Sequence, residues 1–312
     1  MKKLILLILL IAQVIAGHGQ SSDQNVKIST QTGDLHGVLS IADTSQTTPV
    51  VIIVPGSGAT DRDGNQGFIL HTNAYKQLAV QLAKNGISTL RFDKRGVGQS
   101  QKAVLSESDL RFETYINDLL AWIQFAKETK HFNAIHIIGH SEGALIGMVA
   151  SQKSGVDKYI SLAGPGVKID ETIKQQVKGQ FSDELYKEVE ANFDTLAMGQ
   201  TLHSVNPFLM QLFRPSLQPY MMSWMKYDPC HEISKLEIPI LIIQGTTDIQ
   251  VSEDNAQLLH KAAPTSQLSL IENMNHVLKE APMDRQANIA TYSNGTLPVM
   301  PELTEVLVSF IK

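Results

Sequence analysis

Apolar residues along this chain follow two periods. Residues 26–30 and 35–41 alternate apolar and polar side chains on either side of Gly33-Asp34, which predicts an antiparallel hairpin. After a polar stretch the alternation gives way to Val50-Val51-Ile52-Ile53-Val54. Such a continuous β-branched run suits a strand covered on both faces. Four more runs of this kind occupy 87–92, 134–138, 159–163 and 240–244, and 266–271 is a more mixed candidate for the last strand. Between the runs the period lengthens. Residues 74–85 put Tyr75, Leu78, Ala79 and Leu82 on one helical face and stop at Gly86, and 114–129 does the same with Ile116, Leu119, Leu120 and Ile123. Residues 141–152 are apolar and rich in small side chains, and 254–263 and 301–312 complete the set of expected helices. Strand and helix alternating in this way predict a mostly parallel, twisted sheet with helices on both faces.

One segment breaks the alternation. From about 167 to 228 no strand pattern occurs; 168–198 is charged and helical in period, and 208–227 is rich in Met, Phe, Trp, Tyr and Pro. The expectation is a helical insertion at one end of the sheet, either packing on the core or forming a cap over a pocket. Met and aromatic side chains suit an adaptable apolar wall. The expected division is a signal peptide over 1–19, a first core part over 20–166, the helical cap over 167–230 and a second core part over 231–312.

Composition narrows the class. With 43% hydrophobic residues, 18% charged residues and a net charge of −5, the chain can bury a core and carries no basic excess pointing to nucleic acid. Met1-Lys2-Lys3 precedes an almost wholly apolar run from residue 4 to 16, followed by small residues. This is the layout of a secretory signal peptide, too short to span a bilayer comfortably, so a secreted or periplasmic protein without stable membrane insertion is expected. Cys230 is the single cysteine, which excludes an intramolecular disulfide, and its Asp-Pro-Cys-His setting is poor for a nucleophile. No His-Glu-x-x-His motif and no phosphate-binding glycine loop occur, so neither metal nor cofactor is expected. The oligomeric state is not legible.

The chemistry centres on Gly139-His140-Ser141-Glu142-Gly143. A Gly-x-Ser-x-Gly pattern alone says little, but this one follows the apolar run 134–138 and precedes the helical Ala144-Leu145-Ile146-Gly147-Met148. That is the strand, tight turn and helix of a nucleophile elbow, which lifts Ser141 above the strand end. A serine hydroxyl needs a histidine base held by a carboxylate. Asp248 follows the strand candidate 240–244, and His276 follows the last one, so both sit just past strand ends in the order that accompanies such an elbow. Glu253 and Glu272 are fallback acids, and Asp254 reads as a first-turn helix residue. His140 would point away from the nucleophile across the elbow, and His71, His203, His231 and His260 lack suitable spacing. For the oxyanion, the backbone N–H of Glu142 and that of Ser57, or else Gly58, in Val54-Pro55-Gly56-Ser57-Gly58 are the candidate donors. Ser57 Oγ as the nucleophile would have no elbow.

These features resemble the α/β-hydrolase superfamily over residues 26–312, nearly the whole expected mature chain. Ser141, Asp248 and His276 fall on the family's triad positions. Arg91-Phe92-Asp93-Lys94-Arg95-Gly96-Val97-Gly98-Gln99-Ser100 resembles its Asp-x-Arg-Gly-x-Gly-x-Ser turn, a mostly architectural segment. Pro55-Gly56-Ser57-Gly58 with Asp61-Arg62-Asp63-Gly64 resembles a bacterial carboxylesterase subgroup near acyl-peptidases and dienelactone-type hydrolases. Pro55 departs from the histidine that many relatives carry. The resemblance implies an α/β-hydrolase fold with a helical cap and a serine esterase acting on a small-molecule ester through an acyl-enzyme. It disfavours relatives with an Asp or Cys nucleophile, and the length leaves no room for a propeller. A small peptidase or amidase on the same triad, and a non-catalytic binding protein on this scaffold, are the rival expectations.

Overall fold

The computed structural model describes residues 22–67, 69–104 and 106–312; the expected signal peptide at 1–19 lies outside the described residues. The strands are β1 (Ser22–Thr30), β2 (Gly33–Ile41), β3 (Thr48–Val54), β4 (Ser88–Phe92), β5 (Phe132–His140), β6 (Lys158–Leu162), β7 (Ile240–Gly245) and β8 (Gln267–Ile271). They form one sheet in the order β1-β2-β4-β3-β5-β6-β7-β8. The hairpin β1–β2 and the β2–β4 pair are antiparallel, and every pairing from β4 across to β8 is parallel. The expected strands are all present. Each parallel crossover carries a helix: α1 (Ala74–Lys84), α2 (Phe112–Glu128), α3 (Glu142–Ser154), α9 (Glu253–Ala262) and, at the end, α11 (Pro301–Ile311).

The β3 run explains the layering. Val50, Ile52 and Val54 face one core with Trp122 and Leu119 of α2 and Leu145 of α3, whereas Val51 and Ile53 face the other with Leu78 of α1 and Leu307 of α11. All five side chains are essentially inaccessible to water. Burying a Val or Ile contributes about 1.5–3 kcal/mol, so both faces need cover, and the run cannot alternate.

The segment between β6 and β7 is helical. It contains α4 (Ile169–Val177), α5 (Asp183–Ala197), α6 (Met210–Phe213), α7 (Gln218–Trp224) and α8 (Pro229–Ile233); α8 crosses residues 230 and 231, where the expected cap ends. Val189, Phe193, Phe213, Tyr220 and Trp224 belong to the same apolar core as α2 and α3. Trp224 stacks on Phe112 with centroids 5.4 Å apart, and Ser223 Oγ accepts from the Phe112 N–H at 2.8 Å. The insertion is thus anchored to the sheet's helices while reaching over the strand ends. A short helix that periodicity did not predict, α10 (Arg285–Ala290), lies between β8 and α11.

Candidate active site

The elbow is a strained turn held from outside. Ser141 has φ 55° and ψ −120°, a conformation that costs a non-glycine residue about 1–3 kcal/mol and persists only where its surroundings over-determine it. The surroundings are visible: the Ser141 N–H donates to the Leu162 carbonyl at the end of β6 at 3.0 Å, and the Ala144 N–H donates to the Ser141 carbonyl at 2.9 Å. Gly143 lets α3 approach β3, since a Cβ there would lie 2.3 Å from the Val54 carbonyl oxygen. That approach puts the first turn of α3, with the Glu142 N–H, beside the loop that leaves β3.

Asp248 and His276 meet from two different loops. His276 Nδ1 lies 2.8 Å from Asp248 Oδ2. Gln244 Nε2 also donates to Oδ2, at 3.0 Å, and the N–H groups of Gln250 and Val251 donate to Oδ1 at 2.8 and 2.9 Å. Burial alone would raise the Asp248 pKa; the His276 ring and the backbone donors outweigh it and hold the carboxyl below its ordinary value. An ionised Asp248 demands the proton on His276 Nδ1, which leaves Nε2 as an acceptor. Ser141, His276 and Glu142 all line one cavity of about 500 Å³, with Gly56, Ser57 and Gly58 on its wall. Ser141 Oγ has no hydrogen bond among the described residues; such bonds often tighten only when substrate is bound.

The loop bearing His276 is tied down by two asparagines that sequence reading did not single out. Asn275 Oδ1 accepts from the N–H groups of Val277 (3.2 Å) and Lys279 (3.0 Å), and its Nδ2 donates to Thr291 Oγ1 at 2.7 Å. Asn288 Nδ2 donates to the carbonyls of Thr247 and Pro282, each at 2.8 Å, and so joins the Asp248 loop to the segment after His276. Asn275 stands beside His276 in sequence, but only its partners reveal its work.

His140 does not turn away from the site as expected. Its ring is buried and lines the cavity beside Ser141. Nδ1 is 2.7 Å from Tyr75 Oη, and Nε2 is 2.9 Å from the His276 carbonyl oxygen. Tyr75 Oη also accepts from the Gly56 N–H at 3.2 Å. Donors and acceptors balance in one way only: Gly56 N–H to Tyr75 Oη, Tyr75 O–H to His140 Nδ1, His140 Nε2–H to His276 O. Burial and the neighbouring His276 push the His140 pKa down to about 3, which keeps the ring neutral, as this relay requires.

An apolar part of the cavity wall comes from the insertion: Ile169, Ile173 and Val177 of α4, Leu212 of α6 and Trp224 of α7. Gln66, Thr172, Gln176, Gln250 and Tyr292 supply its polar points. Of the remaining candidates, Asp254 lies in the first turn of α9 next to Glu253, and Glu272 is exposed. Cys230 is only partly buried and donates to the Gly166 carbonyl at 3.1 Å. In the 91–100 segment, Arg62 pairs with Asp93 through Nε at 3.0 Å and a terminal nitrogen at 2.6 Å, which fastens the 61–64 loop to the turn after β4.

A family model described as serine aminopeptidase, S33, matches residues 65–205. Esterase EstD of Thermotoga maritima is 27% identical over 248 residues, covering 78% of this chain; the chain spans 58% of that relative's length. A probable lysophospholipase L2 of Haemophilus influenzae is 25% identical over 65% of this chain and 72% of its own. Among solved structures, Est1E of Butyrivibrio proteoclasticus with ferulic acid bound superposes with a TM-score of 0.60 at 18% identity, covering 92% of this chain and 99% of that one. An esterase of Pyrococcus furiosus gives 0.58 at 15% identity, over 93% and 90%. With a sheet of this order and an elbow between its fifth strand and third helix, the chain has the α/β-hydrolase fold.

Proposed function

We propose that the protein is a serine hydrolase of small carboxylic esters. The observation that carries this reading is the His276–Asp248 pair, 2.8 Å apart, whose imidazole lines the same cavity as a strained elbow serine. Ser141 Oγ attacks the ester carbonyl and passes its proton to His276 Nε2. Asp248 keeps the imidazole in the required tautomer and balances the imidazolium as it forms. The tetrahedral oxyanion sits on the backbone N–H groups of Ser57 and Glu142. Collapse expels the alcohol, protonated by His276, and leaves an acyl group on Ser141; water, activated by the same imidazole, then releases the acid. Ser141→Ala is expected to lower kcat by about six orders of magnitude, and a fluorophosphonate probe to label Ser141 alone. Undiminished p-nitrophenyl ester hydrolysis by Ser141→Ala overturns the reading.

The S33 match favours a second reading, an aminopeptidase. That activity needs a carboxylate free to hold the substrate's ammonium group. Glu142 is the single acidic side chain among the described residues lining the cavity, and it is already bonded to Lys94 and Tyr220. The wall is otherwise neutral, which favours uncharged esters. A panel of acyl p-nitrophenyl esters against aminoacyl p-nitroanilides separates the two, with turnover expected on the esters alone.

We also propose export from the cytoplasm, supported by the basic start and the apolar run up to residue 16. N-terminal sequencing of the protein recovered after expression tests it. Cleavage near residue 19 is expected, and an intact cytoplasmic chain refutes it.

A further inference from the structure

Lys94 is buried, and its ammonium has two polar partners that belong to different walls of the site. Nζ lies 2.8 Å from Glu142 Oε2 and 3.1 Å from the Gly56 carbonyl oxygen. The Tyr115 ring covers it with the centroid 4.3 Å away. Glu142 is itself buried, and its other carboxylate oxygen accepts from the hydroxyl of Tyr220 on α7. Burial favours the neutral lysine, but the adjoining carboxylate outweighs it and raises the Lys94 pKa above the ordinary value. A buried ion pair is weak evidence for a stabilising role, because desolvation consumes most of its attraction. Its placement is therefore the informative part.

The Gly56 carbonyl and the Ser57 N–H belong to one planar, trans peptide unit, so they point in opposite directions. An ammonium that holds the carbonyl from behind fixes the plane of that unit and turns the Ser57 N–H away from itself. It also polarises the unit, which strengthens the N–H as a donor. The same ammonium holds the side chain of Glu142, the residue whose N–H opens α3. Gly56's own N–H is taken by Tyr75, so Ser57 is the first amide after β3 without a backbone or side-chain acceptor among the described residues.

We propose that Lys94 is the positioning residue of the oxyanion hole: its one ammonium grips the Gly56–Ser57 peptide and the Glu142 side chain together, and so aims the Ser57 and Glu142 N–H groups at the oxyanion of the bound ester. This rests on the ester-hydrolase reading of the site, and it selects Ser57 over Gly58 as the first donor. Tyr220 extends the grip to the cap, because α7 then bears on the same carboxylate that sits beside the nucleophile.

The test separates aiming from charge neutralisation. Lys94→Met alone strands a buried carboxylate, so the informative variant is Lys94→Met with Glu142→Gln, which removes both charges and keeps the Glu142 backbone position. Removing a whole oxyanion donor costs about 10²–10³-fold in kcat, so a donor held but no longer aimed is expected to cost about 10- to 100-fold. KM for a p-nitrophenyl ester and the inhibition constant of the product acid are expected to stay within about threefold. Affinity for an alkyl boronic acid, whose adduct with Ser141 places an oxygen in the hole, is expected to fall in step with kcat. A folded double variant with wild-type kcat and boronate affinity overturns the proposal. Should the double variant not fold, Lys94→Leu with Glu142→Gln again removes both charges and the donor and differs only in packing; the same fall in boronate affinity without a change in product affinity is expected, and its absence is equally decisive. Ser141→Ala is measured alongside. If it keeps turnover, the site reading fails and Lys94's role with it; if it is inactive while the double variant is fully active, only the role of Lys94 fails.

Discussion

The imidazole of His140 holds the backbone of His276: its Nε2 lies 2.9 Å from the His276 carbonyl oxygen, and the two ring centroids are 4.9 Å apart. The residue before the nucleophile thus supports the candidate base from behind, and Tyr75 links this support to Gly56 in the loop after β3. His140→Phe keeps the ring and loses both hydrogen bonds. It is expected to lower kcat by about tenfold, equivalent to about 1.4 kcal/mol, with a smaller change in KM. Steady-state kinetics on a p-nitrophenyl ester check it, and wild-type kcat in a folded variant would show that the His276 loop needs no such support.

The strand end that presents Asp248 depends on Gly245. A Cβ at that position would lie 2.0 Å from the Met274 carbonyl oxygen and 2.6 Å from its carbon, both backbone atoms that cannot give way. Gly245→Ala must therefore spread the Asp248 loop from the His276 loop. Overpacking of this kind typically costs about 1–3 kcal/mol, so a lower unfolding midpoint is expected in thermal denaturation. Because the 2.8 Å contact between the two side chains is what the shift disturbs, kcat should drop by about 100-fold or more, toward the level of Asp248→Asn.

Acid should weaken the fold through His136. This ring is buried in β5, neither nitrogen has a hydrogen-bond partner among the described residues, and burial lowers its pKa from 6.5 to about 4. The unfolded chain then binds a proton that the folded chain refuses, so this contribution to stability is fully present above pH 6.5 and is lost as the pH falls toward 4. His140 acts with the same sign down to about pH 3. His136→Leu replaces an unpaired polar ring with an apolar side chain. A gain of about 1 kcal/mol at pH 7 is expected, together with a shallower loss of stability between pH 6.5 and 4. Urea unfolding at pH 7 and pH 5 measures both, and a destabilised variant with an unchanged acid slope would contradict this account.

Acyl selectivity should lie in the insertion. Leu212 of α6 lines the cavity that Ser141 also lines, alongside Ile173 and Val177 of α4, and is only partly buried. Leu212→Trp adds volume to a space of about 500 Å³ without touching the elbow. Turnover of acetate esters is expected to change by less than about threefold, while kcat/KM for octanoate or cinnamate esters falls by about tenfold or more, the order of effect that an apolar pocket contact supplies. Parallel kinetics on the ester series check this, and a uniform loss across all chain lengths would place the acyl group elsewhere.

Much of this architecture is legible without coordinates because it is local. A strand covered on both faces has to be apolar at every position, as Val50 to Val54 are, and a helix on its surface has to repeat its apolar residues as Tyr75, Leu78 and Leu82 do. The elbow is readable for the same reason, since five consecutive residues between a strand and a helix define it. Asp248 and His276 are readable because each follows a strand end directly. Helix α10 was not, because Arg285–Ala290 is too short to display a helical period. What no local pattern announces is which turns face one another. Tyr75 reaches His140 across 65 residues, His140 reaches His276 across 136, and Lys94 reaches Glu142 across 48. These contacts exist because parallel crossovers return the carboxyl ends of β3 to β8 to the same edge of the sheet. The sequence by itself determined the sheet, the long helices and the candidate nucleophile, acid and base; only the tertiary structure decided that a buried histidine backs the candidate base and that a buried lysine spans two walls of the candidate site, because each depends on side chains that meet only after the sheet has assembled.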